Sequence, residues 1–584
     1  NGDRRLMIEG GTNEEFVDEI HVQTVEEDPA LALPFRAKME ILVAVMLGLF
    51  LGSLDQTIVS VALPRIVTDL NGNDLYVWVV TIYLLTSTIS VPFWGKLSDL
   101  YGRKPIFMIG IGIFLVGSAL SGLSQSMWEL ILFRGIQGVG AGSLFPVALA
   151  VIGDLFTPAE RGKYQGLFGA VFGIAFIIGP ALGGVITDTV GWHWIFYVNI
   201  PIGLVSLYFI GRLLPTVKSA RATRNFDVLG GTVFTLAIGC LLVGLTNKGI
   251  TSATTHLLNP WTDPSVGGLI LVAFVGIGLF LLAEARAKEP IIPLGLFRIW
   301  TYSSSMIATF FAAFAFFGSI IFLPRWFQFV KGYSATASGY AALPLLAGLI
   351  ASSIVSGQIV ARTGRYKWLT VVSIVIMGVG AALMTQLSAT TPLPLLWLWM
   401  FIAGVGVGPT FTVFTIIVQN AVPFNELGVA TSSLTFFRQI GGTIALAIAG
   451  TLFETAFNDQ LVPQMTSAGV PPQVVSGIQQ ASATGGFDLN QVSGVGLDLG
   501  KAILAALPSQ IQSTVTPFVP SIVNGIYGAF STAVGQTFYI GIGAAAIAAV
   551  VAATMHEHPL RTANGTPALA PTKESSGPGA SALS

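Results

Sequence analysis

The segment Gly95-Lys-Leu-Ser-Asp-Leu-Tyr-Gly-Arg-Lys104 lies between two apolar runs and carries Lys96, Asp99, Arg103 and Lys104. Each run is long enough to cross a bilayer, which takes about 20 mostly apolar residues. A charged turn this short between two spanning helices must lie at one membrane face, so the chain is read as an all-α polytopic membrane protein. Composition agrees. Only 10% of the 584 residues are charged and mean hydropathy is +0.75, against roughly 25% charge in soluble domains. A chain so poor in charge cannot cover a water-facing surface.

Composition also excludes several function classes. There is no basic patch and no nucleic-acid motif, so no nucleic-acid partner is expected. The single cysteine, Cys240, rules out a disulfide framework or a cysteine-based metal site. Of the five histidines, only His556 and His558 are close together, just past the last apolar run, where a solvated helix end is a simpler reading than a metal site. Glycine strings such as Gly138-Val-Gly-Ala-Gly142 sit inside apolar runs with no preceding strand, which rejects nucleotide binding. No cofactor is expected.

Apolar runs fall at roughly 41–62, 78–98, 104–123, 129–152, 165–187, 193–214, 228–246, 265–284, 303–324, 339–361, 368–388, 394–418, 428–455 and 526–555, which gives fourteen spans. Lys and Arg favour cytoplasmic loops. With the amino terminus inside, only Arg65, Lys248, Arg325, Lys331 and Lys501 of the 28 Lys and Arg fall outside, and Arg134 and Arg438 fall within spans. Both termini are therefore expected in the cytoplasm, and the location is expected to be the plasma (inner) membrane. Residues 1–40 form an acidic tail and 556–584 a Pro/Ser/Gly-rich one, both expected to be disordered. The longest connection, 456–525, falls outside and reads as a partly folded loop with helix-like pieces near 498–507.

Gly357-Gln-Ile-Val-Ala-Arg-Thr-Gly-Arg-Tyr overlays the first hairpin, with Gly357 for Gly95, Gly364 for Gly102 and Arg365 for Arg103, while Ala361 replaces Asp99. The two copies hold equal positions in two six-helix halves, 41–214 and 303–555, if the segment 215–302 with spans seven and eight is an insert between them. Paired halves around a midplane cavity are the usual architecture of secondary transporters.

Several segments support a specific resemblance. They are Leu54-Asp55-Gln-Thr-Ile-Val-Ser-Val-Ala-Leu-Pro64, Trp78-Val-Val-Thr-Ile-Tyr-Leu-Leu85, Gly95–Lys104, Arg134-Gly-Ile-Gln-Gly-Val-Gly-Ala-Gly142, Gly173-Ile-Ala-Phe-Ile-Ile-Gly-Pro-Ala-Leu-Gly-Gly184 and Trp192-His-Trp-Ile-Phe-Tyr-Val-Asn-Ile-Pro-Ile-Gly203. Together they resemble the fourteen-helix drug:proton antiporter group of the major facilitator superfamily over about 41–455, most specifically in the first half. The resemblance implies a major facilitator fold, proton coupling at Asp55 and a cytoplasmic latch at Asp99 that holds the outward-facing state. It also implies an antiporter motif in Gly173, Gly179, Pro180, Gly183 and Gly184.

The residues themselves carry much of this reading. Asp55 lies well inside the first span, where an ionisable group costs about 2.5–3.5 kcal/mol on insertion scales and is a functional candidate by default. Arg134 is its natural partner, since both lie roughly 8–11 Å below the outer helix ends. A proton-coupled switch and a static ion pair that fixes helix register are the two readings. In the hairpin, Gly95 and Gly102 are expected to permit the turn, Asp99 and Arg103 to form the latch with Lys104, and Glu160 and Arg161 to extend its network. The roughly four-residue spacing of Gly169, Gly173, Gly179, Gly183 and Gly184 puts small residues on one helix face, and Pro180 is expected to kink that helix. Arg438 reads equally as a substrate contact or a structural hydrogen-bonding group. Gln56, Tyr83, Gln137, Phe314, Phe317 and Arg438 are candidate lining of a substrate cavity, with lipid contact the better expectation for most of the aromatics near Phe314, up to Trp326. Family members that carry dicationic drugs tend to have extra membrane acids in later helices. Here Asp154, Asp188, Glu284 and Glu454 lie near span ends, which argues against dicationic substrates.

The expectation is a proton-driven exporter, not an enzyme, acting by alternating access on small hydrophobic or cationic compounds as a monomer in the lipid bilayer. An exporter of lipids or lipid-linked molecules is the alternative. A membrane enzyme would need converging acid–base side chains that the spans do not offer, and the paired halves argue against a passive channel.

Overall fold

The computed structural model describes residues 33–70, 75–215, 227–248, 259–476, 499–506, 512 and 515–560. Among these the chain contains no strand, and fourteen helices are long and apolar enough to cross a membrane. The main helix of each span, in chain order, is α1 (Phe35–Asp69), α2 (Tyr76–Tyr101), α3 (Arg103–Leu123), α4 (Met127–Leu155), α5 (Leu167–Thr189), α6 (Asn199–Leu213), α7 (Val228–Lys248), α8 (Leu269–Glu284), α9 (Trp300–Lys331), α10 (Leu343–Thr363), α11 (Lys367–Met384), α12 (Leu393–Ala421), α13 (Leu427–Ser467) and α14 (Val519–Ala553), the spans of α6 and α8 beginning earlier, at Trp194 and Pro264. A helical fold is what a bilayer demands, because it offers no water to satisfy exposed backbone groups.

Helix–helix packing shows the duplication more clearly than the sequence does. In the first half α3 packs on α4, and in the second α11 packs on α12. Both pairs depend on glycines. A Cβ at Gly140 would lie 2.3 Å from Phe114 N, and one at Gly117 2.5 Å from Gln137 N. The counterparts are Gly406, whose Cβ would lie 2.2 Å from Met377 N, and Gly380, at 2.5 Å from Ala403 Cα. Lipid gives no hydrophobic drive for helices to associate, so close backbone approach between small residues takes its place. The inserted pair α7 and α8 pack on each other, and α7 also leans on α2 and α13. Only 17% of the apolar window of α8 is buried, so its remaining surface is left for lipid.

Several boundaries differ from the sequence reading. Helix α1 starts at Phe35, so 35–40 belong to the first helix and not to a disordered tail; residues 1–32 and 561–584 lie outside the described residues. Helix α13 has 41 residues and α14 has 35. At 1.5 Å per residue α13 is about 60 Å long, twice the hydrocarbon thickness. Residues 456–467 and 519–525 of the expected 456–525 loop are therefore helix that continues the two spans. It packs as it goes: a Cβ at Gly525 would lie 2.7 Å from Met465 Cα. A short helix at Leu499–Ala506 falls where helix-like pieces were expected, and Ile503 is fully buried against this extension.

Gly95 does not form the hairpin turn. It lies within α2, and the turn is made at Gly102 alone, with φ +94°; Gly364 with φ +68° does the same in the second copy. Pro180 sits within an unbroken α5.

Replacing Gly406 by Val would force α11 and α12 apart. The expected cost is about 1–3 kcal/mol, measured as a lower thermal unfolding midpoint in detergent, with a similar loss for Gly140→Val.

Candidate functional site

Asp55 is fully buried in the middle of α1, and the surrounding helices supply what water would otherwise provide. Arg134 Nη1 on α4 lies 2.5 Å from Oδ2. Gln137 Nε2 donates to Oδ1 at 2.8 Å, and Asn199 Nδ2 on α6 donates to the same oxygen at 3.0 Å. Arg134 and Gln137 stand three residues apart, hence on one face of α4, and Arg134 Nη1 also donates to Gln137 Oε1 at 2.8 Å. The guanidinium lies 4.0 Å from the Tyr83 ring centroid on α2, a stacking arrangement that favours the cation. Ser118 Oγ on α3 accepts from Asn199 at 3.0 Å and donates to Phe196 O at 2.8 Å. One carboxylate thus organises α1, α2, α3, α4 and α6.

Tyr83 and Gln137, expected as cavity lining, are instead buried around Asp55. Gln56, next to Asp55 in sequence, is exposed, as is Ser60 one turn on, so α1 carries a buried acid and an exposed polar stripe. Asn199 and Ser118 were not singled out by sequence reasoning. The available signal was an amide in the first turn of an apolar span.

A second group is built from α9, α12 and α13. Arg438 is buried, donates from Nη2 to Thr410 O at 3.2 Å and lies 4.1 Å from the Phe411 ring centroid. Phe316 packs on Phe411 with centroids 5.4 Å apart, Phe317 lies against Gly442, and Phe310, Phe311 and Phe314 pack on one another. These aromatics are half-buried against protein and not turned wholly to lipid. Trp326, also expected at a lipid or cavity surface, is fully buried in α9 and donates to Ser531 Oγ at 2.8 Å.

At the membrane face that carries the hairpin, the two halves meet. Asp99 Oδ1 accepts from Gly428 N at 2.9 Å and Oδ2 from Val429 N at 2.8 Å. These are first-turn amides of α13, which have no partner in their own helix and sit at the positive end of its dipole. Arg103 pairs with Asp99, donates to Ser98 Oγ at 2.7 Å and reaches Asp154 Oδ2 at 3.0 Å. Asp154 is thus a member of the network, although sequence position marked it only as a span-end acid. The function of Gly95 is close approach: its Cβ would lie 2.0 Å from Ser432 Oγ on α13. Lys104 is half-buried in the first turn of α3.

Glu160 departs from expectation. It reaches back to Thr157 and closes a capping box on the short helix Pro158–Gln165, so its side chain is used locally. Arg161 donates to Phe156 O at 3.0 Å and Gly153 O at 2.5 Å, which closes the end of α4. The short helix meets α10 through two glycines, a Cβ at Gly162 lying 2.3 Å from Gly357 O. Gln165 Nε2 donates to Gln419 Oε1 at 2.8 Å, and Gln419 Nε2 to Leu149 O at 3.1 Å, across the halves.

Helix α5 links this interface to Asp55. A Cβ at Gly173 would lie 2.2 Å from Ile350 Cδ1 on α10, one at Gly179 2.0 Å from Thr57 Oγ1, and one at Gly183 2.9 Å from Ile58 O. Thr57 and Ile58 are two and three residues after Asp55. Gly184 lies near Thr336, and Pro180 near Gly339.

Known proteins match this arrangement. A family model for the Major Facilitator Superfamily matches residues 45–446. The chain belongs to that superfamily. The multidrug transporter protein MdtP of Bacillus subtilis is 36% identical over 511 residues, covering 86% of this chain and 91% of the relative. Multidrug resistance protein 3 of the same organism is 34% identical over 421 residues, covering 72% and 80%. Among solved structures, a bacterial homolog of the human lysosomal transporter Spinster superposes with a TM-score of 0.51 at 16% identity, covering 90% of this chain and 98% of the other. At that identity the likeness shows the fold alone. As a major facilitator the chain is a multi-pass membrane transporter.

Removing the Asp99 carboxylate deprives two α13 amides of a charged acceptor, worth about 1.5–3 kcal/mol for each such bond. Since about 1.4 kcal/mol is tenfold in population, Asp99→Ala is expected to raise thiol labelling of Thr431→Cys at least roughly tenfold. Thr431 is buried where the halves touch. The measurement is the labelling rate in a Cys240→Ser background; an unchanged rate would mean that Asp99 does not hold the interface closed.

Proposed function

We propose that the protein is a proton-coupled antiporter that exports hydrophobic or lipophilic cationic compounds, a multidrug efflux pump working by alternating access. The names of MdtP and multidrug resistance protein 3 support the substrate class. The observation that carries the coupling is the buried Asp55, held by Arg134, Gln137 and Asn199. A proton arriving on Asp55 cancels the charge those donors hold and loosens α1 from α4 and α6. Because α1 packs on α5 at Gly179 and Gly183, and α5 on α10 at Gly173, the change reaches the contact between halves.

With Lys and Arg concentrated on the hairpin face, that face is cytoplasmic, both termini lie inside, and the arrangement closed by Asp99 is outward-facing. The location is the plasma membrane and the working unit a monomer. The proton gradient drives the cycle, and neither cofactor nor catalytic step takes part.

The test is gradient-driven movement of a lipophilic cationic dye in everted membrane vesicles, wild type against Asp55→Asn at matched expression. The expected result is loss of at least about tenfold in rate with dye binding retained. Unchanged transport in the variant would end the assignment of Asp55. A wild type that moves a fluorescent lipid but no dye would replace the drug reading with a lipid exporter.

A further inference from the structure

The inserted helices contain a carboxyl pair that the transport reading does not use. Glu284 ends α8 and is buried, with 3% of its surface exposed. Its Oε1 accepts the Ile292 amide from the linker that folds back after α8. Its Oε2 is buried without a hydrogen-bond partner. Asp227 stands just before α7; its Oδ1 accepts from Gly230 N at 2.9 Å, and its Oδ2 is likewise buried and unpartnered. The two unpartnered oxygens flank one small space, since a Cβ at Gly230 would lie 2.2 Å from Asp227 Oδ2 and 3.1 Å from Glu284 Oε2.

Lys96, 1% exposed on α2, faces Glu284 and pairs with Glu289 Oε2 at 2.8 Å. Arg286 and Lys288 on the same linker are exposed. Among the described residues Lys96 is the buried cation facing Glu284, and it is shared with Glu289. Two neighbouring carboxylates in a shielded site do not both ionise, and buried acceptors without donors are costly.

We propose that Asp227 and Glu284 form a proton-binding site distinct from Asp55, in which one proton on Glu284 Oε2 donates to Asp227 Oδ2. That single proton satisfies both unpartnered oxygens. Asp227 is placed as the acceptor of that proton, since it already accepts the first-turn amide of Gly230 at the start of α7. The site lies beside Lys96, three residues before Asp99 on α2, and the linker residues Ile291 and Ile292 are buried against Ile89, Val91 and Phe234. Proton occupancy thus strengthens the joint between the insert and the helix that carries the hairpin aspartate. Loss of the proton sets two like charges against each other across that joint.

Infrared difference spectroscopy of the purified protein in lipid nanodiscs, wild type minus Glu284→Gln, tests this directly. The expected result at neutral pH is a protonated-carboxyl C=O band in the wild type that is absent from the variant and bleaches at alkaline pH. Asp227→Asn, which removes the neighbouring charge but leaves Glu284 buried, is expected to move the bleaching of the band to lower pH, and it carries the test if Glu284→Gln does not fold; bleaching at an unchanged pH would count against the pair. A proton bound by the folded state and released on unfolding makes stability fall as pH rises, so the wild-type melting midpoint should fall as pH rises above about 4.3, the value of an unfolded glutamate, and level off once the site itself deprotonates, while that of Glu284→Gln stays nearly flat. A neutral-pH difference spectrum without the band, or parallel melting profiles, would overturn the proposal. Neither readout needs a substrate, so the result stands apart from the dye assay.

Discussion

A carboxylate in the middle of a membrane helix must be solvated by protein or it is expelled, and that requirement at Asp55 shapes the first half of the molecule. Arg134, Gln137 and Asn199 reach it from two other helices. Tyr83 lies against the guanidinium and Ser118 holds Asn199. Because the acceptor is charged, each of these donors is tied to its ionisation state. The glycines of α5 let Thr57 and Ile58 approach so closely that α1 cannot shift without moving α5. Chemistry at one atom and contact between the halves are therefore mechanically adjacent.

The two halves repeat one another in helix packing but not at the closed face. Helix α13 starts after a 3-10 turn at Phe424–Glu426, and the break leaves Gly428 and Val429 amides open to Asp99. The corresponding helix of the first half starts with Thr157-Pro158 and caps itself through Glu160. Opposite that self-capped end, the second hairpin carries Ala361 and needs no carboxylate. The replacement of Asp99 by Ala361 thus has a physical counterpart in where each helix finds acceptors for its first amides. The carboxylate latch is one-sided, whereas a glycine-to-glycine contact is made at both crossings, Gly95 with Gly428 and Gly162 with Gly357.

The span count, the duplication and the pairing candidates Asp55 and Arg134 were legible because a bilayer makes apolar length and buried charge conspicuous. What the sequence hid was mostly uncharged or three-dimensional. Asn199 and Ser118 are common polar residues whose importance comes from facing Asp55. Asp154 and Glu284 lie at span ends, yet one pairs with Arg103 and the other lies against Gly230, far away in sequence. Gly95 looked like a turn residue because it brackets the hairpin, but its backbone is helical and its lack of a side chain serves Ser432. The extension of α13 to Ser467 was missed because its last turns are polar and its apolar positions meet α14 rather than lipid.

The proposed cycle requires Asp55 to exchange a proton in step with substrate. The most direct measurement is proton release from the detergent-purified protein in weakly buffered solution, followed with a pH dye as a lipophilic cation is added. The account predicts a saturable release by the wild type and none by Asp55→Asn that still binds the cation. Equal release from both proteins, or substrate binding by the wild type with no release at any pH, would contradict it.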